Sequence, residues 1–137
     1  MKAILFSLFV ALLMVGCGEL SEDEQHLVGF ILLKKNLPLK MGSNQTMTDI
    51  SINSNGDWVY TYEINYEALK KIDSELLGEI DDKTYLEIRQ KNDYGTSFEI
   101  YKNSPDMARL RKKNIRVIYK YFDLNGKHLY TNIVSNE

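Results

Sequence analysis

Two short segments decide most of what this chain can fold into. Trp58-Val59-Tyr60-Thr61-Tyr62-Glu63-Ile64 and Ile115-Arg116-Val117-Ile118-Tyr119-Lys120-Tyr121-Phe122 are rich in aromatic and β-branched residues, and their side chains alternate with period two. Such alternation sends successive side chains to opposite faces of a sheet, so each segment is expected to be a strand. Asn55-Gly56 precedes the first segment and Asn125-Gly126 follows the second. Asn-Gly accepts the positive φ of a tight turn and is a strong hairpin signal. Residues 49–53 therefore pair with 58–64, and 115–122 with a return strand carrying Leu129, Thr131 and Ile133.

The period changes between the hairpins. Asn65 is a helix cap, and Leu69, Ile72, Leu76 and Ile80 follow at spacings of three and four, as the apolar stripe of a helix requires. Gly78 weakens that helix by up to about 1 kcal/mol relative to alanine. Asp81-Asp82 starts a further helical segment through Tyr85, Leu86 and Ile88. Residues 92–95 are expected to turn, and 96–101 suit either a strand or a helical turn. Ser104-Pro105-Asp106 opens another helix with a hydroxyl cap, a proline and an early acid, and Asn114 suits its left-handed end. Earlier in the chain, Ser21 and Glu24 have capping-box spacing. Leu27, Phe30 and Ile31 then line one helical face ending before Leu37-Pro38, although residues 28–33 would also suit a buried strand. Residues 40–48 are turn-forming and polar, which predicts a loop. The expected fold is α+β: two antiparallel hairpins forming one sheet, with helices packed on one face.

The N-terminus constrains location. Met1-Lys2 is followed by an apolar run from Ala3 to Val15 and then Gly16-Cys17. A short positive end, an apolar stretch of this length and a small residue before a cleavage point make a secretory signal. A membrane-spanning helix needs roughly 20 apolar residues, and Glu19, Ser21, Glu22, Asp23 and Glu24 interrupt this run too soon. Leu13-Met14-Val15-Gly16-Cys17 resembles the lipobox of bacterial lipoproteins. That resemblance implies a leader at 1–16, a lipid-modified Cys17 with its tether at 17–26, and a single domain at 27–137. It also implies a diacylglyceryl group on the Cys17 sulfur and often an acyl chain on its new amino group. One such chain anchors marginally, whereas two or three hold firmly. Gly18 stands where aspartate favours inner-membrane retention in enterobacterial sorting, so the implied address is the outer membrane, facing the periplasm.

Loss of the leader leaves 121 residues, enough for one hydrophobic core. Cys17 is the only cysteine, so packing rather than a disulfide must hold the fold. The net charge is −2 and well mixed, without the basic face that nucleic acid requires. The cluster Arg109, Arg111, Lys112 and Lys113 falls at a helix end, where cations complement the helix dipole. A phosphate or lipid-headgroup contact is the other use of such a cluster.

The chain also resembles a group of small bacterial envelope proteins. The resemblance rests on Leu37-Pro38, Thr46, Tyr60-Thr61-Tyr62, Ser104-Pro105-Asp106-Met107 and the stretch Tyr119-Lys120-Tyr121-Phe122-Asp123-Leu124-Asn125-Gly126. It implies an envelope protein and no particular activity.

Catalytic chemistry finds little foothold. His26 and His128 are the only histidines and lie in different elements, with no zinc-binding spacing. Asp123, Asn125 and Lys127 mimic the start of a calcium loop but fit a hairpin turn better. No Gly-x-Ser-x-Gly elbow is present. The acids at 22–24 and 81–82 cluster where helix starts favour them. No metal, cofactor or catalytic residue is expected.

The aromatic content is the positive clue, with nine tyrosines and one tryptophan. Trp58, Tyr60, Tyr62, Tyr119 and Tyr121 either form the buried face of the sheet or, if some rings face outward, a surface for protein or glycan. The sequence thus predicts a lipid-anchored envelope lipoprotein that binds another envelope protein without catalysis. The alternative is a small cell-wall-directed enzyme or ligand carrier.

Overall fold

The computed structural model describes residues 21–136. The leader expected at residues 1–16 and Cys17 lie outside the described residues. Ser21 accepts a hydrogen bond from the Glu24 amide and caps helix α1 (Glu22–Lys35). Strand β1 (Leu39–Lys40) follows a cis Leu37-Pro38 peptide and pairs with β2 (Gln45–Ile52). The predicted loop is thus partly strand. Gln45 to Met47 extend the ladder against Tyr62 to Ile64, and a bulge at Thr48 shifts the register by one residue beyond it.

β2 and β3 (Trp58–Ile64) form the first hairpin, and β4 (Val117–Phe122) and β5 (His128–Val134) form the second. The turns are built alike. Asn53 Oδ1 accepts the amides of Asn55 and Asp57, and Asp123 Oδ1 accepts those of Asn125 and Lys127. Gly56 and Gly126 both sit at φ 81°, where a Cβ would be strained. Asp123 is therefore occupied by turn amides.

The sheet order is β1-β2-β3-β4-β5. Expectation and structure differ at its centre. The sheet has five strands rather than four, and the two antiparallel hairpins join through a parallel β3–β4 pair. A parallel join needs a long crossover, which residues 65–116 supply. Their elements are α2 (Tyr66–Leu77), α3 (Asp82–Asn103), a 3₁₀ turn (Pro105–Met107) and α4 (Ala108–Lys112). The join is locked at one end, where Arg116 donates to both carboxylate oxygens of buried Asp57 at 3.2 and 2.7 Å.

The helices differ from expectation in instructive ways. α3 runs unbroken through the expected turn at 92–95, because its packing on the sheet outweighs the weak helix preference of Asn92 and Gly95. Ser97 and Tyr101 are buried, and the Tyr101 hydroxyl donates to the Ile115 carbonyl at 2.8 Å. Gly78, at φ 82°, ends α2 instead of sitting within it. Of the α2 stripe, Leu69 packs on the core, while Ile72 and Leu76 are 49% and 81% exposed. Leu27 and Ile31 of α1 also face solvent. The inward face of α1 is offset from the expected one and carries His26, Phe30 and Leu33. Arg111 donates to the carbonyls of Tyr101 and Ser104, so this cation serves the end of α3.

Candidate functional site

Because β3 and β4 run parallel with Tyr60 opposite Tyr119 and Tyr62 opposite Tyr121, the two Tyr-x-Tyr motifs meet in register. Their rings stack on the helix-covered face. Tyr60 and Tyr119 lie 5.5 Å apart at 15°, Tyr62 and Tyr121 5.2 Å apart at 17°, and Tyr130 continues the row 4.7 Å from Tyr121. Such pairs contribute roughly 0.5–1.5 kcal/mol each beyond the area they bury. Burial pushes the Tyr119 hydroxyl up to about 12. Burial raises Tyr60 and Tyr62 further. These rings remain neutral phenols at physiological pH.

The five candidate rings divide into two sets. Tyr62, Tyr119 and Tyr121 are enclosed in the core. Trp58 and Tyr60 lie at its margin and form part of the floor of a pocket of about 530 Å³. His26 and Phe30 of α1 meet the Trp58 ring edge-on, at 5.8 and 5.3 Å between centroids. Met47 and Ile50 of β2 extend the floor, and Gly29 and Leu33 complete the α1 wall. Opposite, the end of α3, the 3₁₀ turn and α4 contribute Ile100, Met107 and Leu110. The polar groups are few: Gln25, His26 and Ser104, with one carboxylate, exposed Asp106.

Sequence reasoning missed this site, yet a signal was present. Met41, Met47 and Met107 are all the methionines of residues 21–136, and all three line the pocket. Methionine is flexible and polarizable, and it recurs on surfaces that adapt to more than one apolar shape. A lining of thioethers, aromatic rings and aliphatic groups suits apolar side chains or alkyl chains. Among the described residues, no cluster of three or more metal-ligating side chains occurs, and no helix is long and apolar enough to cross a membrane.

A second concavity lies beside α2, lined by Glu67, Lys70, Lys71 and Asp81. Lys70 bonds Asp82, as does the Tyr66 hydroxyl at 2.7 Å, and these contacts hold the Asp82 carboxyl below the usual carboxylate range. The helix junction uses those charges for itself.

Fold and pocket together define a small α+β protein with helices on one face of a mixed sheet and an apolar cleft between its first helix and the corner at residues 100–110. No protein-family model and no curated protein matches this sequence. Among solved structures, the chain is similar to a pilotin of the type 2 secretion system from Vibrio vulnificus. The TM-score is 0.50 at 14% identity, over 80% of this chain and 83% of that one. It is also similar to a protein of Pseudomonas aeruginosa described as secreted, with a TM-score of 0.52 at 5% identity, over 80% and 85% of the two chains. At such identities the likeness is one of fold.

Proposed function

We propose that this chain is a lipid-anchored envelope lipoprotein that binds another envelope protein through the pocket between α1 and the 100–110 corner, without catalysing a reaction. The carrying observation is the pocket, whose floor includes two of the aromatic residues singled out from sequence, Trp58 and Tyr60. Three considerations support the reading. The N-terminus resembles a lipobox. The pocket lining is apolar and adaptable. The fold is shared with a pilotin of the type 2 secretion system. The anchor on Cys17 and the outer-membrane address belong to the proposal.

The test is site-specific photocrosslinking in intact cells from Met41, which is 40% exposed at the pocket rim. Leu124, exposed in the β4–β5 turn, serves as the off-site position. One envelope protein captured from Met41, absent from Leu124 and lost in Cys17→Ser, is the expected result. Equal capture from both positions, or none from Met41, overturns the pocket as the binding site.

A further inference from the structure

Few residues separate the helix that walls the cleft from the residue proposed to carry lipid. α1 is capped by Ser21, and only residues 18–21 separate its first residue from Cys17. An extended link of that length spans at most roughly 14 Å. The first residue of α1 to line the pocket is Gln25, about 6 Å along the helix from the cap. The pocket is therefore within reach of a fatty chain on Cys17.

We infer that the pocket houses one acyl chain of lipid-modified Cys17. This rests on the proposed lipidation and adds a ligand to the proposed binding site. Size and chemistry agree. The cavity of about 530 Å³ falls in the range of sites for small ligands. Its walls are Met41, Met47, Met107, Phe30 and Leu33, surfaces that conform to a flexible alkyl chain. The polar lining residues nearest Cys17 in sequence, Gln25 and His26, suit the ester end of such a chain. A methylene gains from leaving water whether it enters a dry pocket or a bilayer, so the exchange between them is nearly balanced. A lipoprotein with three chains keeps two in the membrane while the third occupies the cleft, and two hold it there. A partner that fills the same cleft returns the third chain to the bilayer. Partner binding and firm anchoring then favour one another, as linkage requires.

Trp58 reports on this directly, because it is the only tryptophan and lies on the pocket floor. The full-length gene is expressed in cells fed a brominated fatty acid, a contact quencher of indole, and the mature protein is purified in detergent. Mass spectrometry of the N-terminal peptide records the bromine on Cys17. The expected result is loss of more than half of the Trp58 emission relative to protein from unlabelled cells. Gly29→Leu, which fills the cleft from α1, restores the emission. A brominated chain on Cys17 with undiminished emission in both proteins overturns the inference and leaves the anchor standing. Absence of any chain on Cys17 removes the anchor and the inference together. Equal quenching of Cys17→Ser by vesicles of brominated phospholipid assigns the pocket to bilayer lipid and overturns the covalent source.

Discussion

α2 and α3 are neighbours in the crossover, yet their sequences and their roles run in opposite senses. α2 carries a regular apolar stripe, but most of it is exposed, with Leu76 at 81% and Leu77 at 60%. Polar links to α3 hold it in place: Tyr66 and Lys70 to Asp82, and the Tyr85 hydroxyl to Asp73 at 2.5 Å. α3 has no comparable stripe and includes Asn92, Asp93 and Gly95, but Tyr85, Ser97 and Tyr101 are buried along its length. Periodicity shows that a segment can be a helix. It does not show which helix the sheet will select, because that depends on which side chains reach a hydrogen-bond acceptor and a cavity of the right size.

Substitutions can break this contrast or sharpen it. Tyr101→Ala has the largest expected effect. The ring is 1% exposed, so its loss should cost about 3–5 kcal/mol and lower Tm in a melt followed by circular dichroism. Asp57 lies outside both helices and calibrates the scale. Breaking a buried ion pair costs about 3–5 kcal/mol, but the Arg116 side chain is 44% exposed and stays solvated, so Asp57→Ala should cost about 1–2 kcal/mol. The Arg116 hydrogen bond holds the Asp57 carboxyl below its usual value of 3.8. Its contribution is therefore complete above that value and is lost as the pH falls through the lower folded value. The stability gap between wild type and Asp57→Asn, read by urea denaturation, should narrow in acid.

Tyr130→Phe removes the hydroxyl that bonds Asp93 across the α3–β5 interface, for an expected loss of about 1–2 kcal/mol. Gly95→Ala should stabilise the protein by about 0.5–1 kcal/mol, because the site is exposed, helical and open around the missing Cβ. Leu76→Ser should change stability by less than about 0.5 kcal/mol despite deleting a residue of the apolar stripe. A large loss there would mean that α2 is held by its apolar face after all.

Much of the sheet was legible from local signals. Asn-Gly turns and period-two aromatics located both hairpins, and Ser21, Asn65, Asp81 and Ser104 cap helices by side-chain acceptance as their spacing suggested. The parallel join was not legible, because the pairing of Tyr60 with Tyr119 is set by the length and packing of the crossover. The polar start of β2 was hidden because a backbone ladder demands no apolar side chain from Gln45 or Thr46. The pocket was hidden for another reason. Its walls come from α1, β2, β3 and the 100–110 corner, and only the methionines mark it in one dimension.

The parallel join also governs how the chain must assemble. Asp57 and Arg116, which clamp β3 to β4, are 59 residues apart in sequence. Contacts at such separation form late, because the loop between them must close before they contribute. Until residues 117–122 join it, β3 is therefore paired only with β2, and its other edge, along Trp58, Tyr60 and Tyr62, stays open. During that interval β3 is open to pairing with another chain. The strand that centres the native sheet is thus the nascent protein's most vulnerable edge.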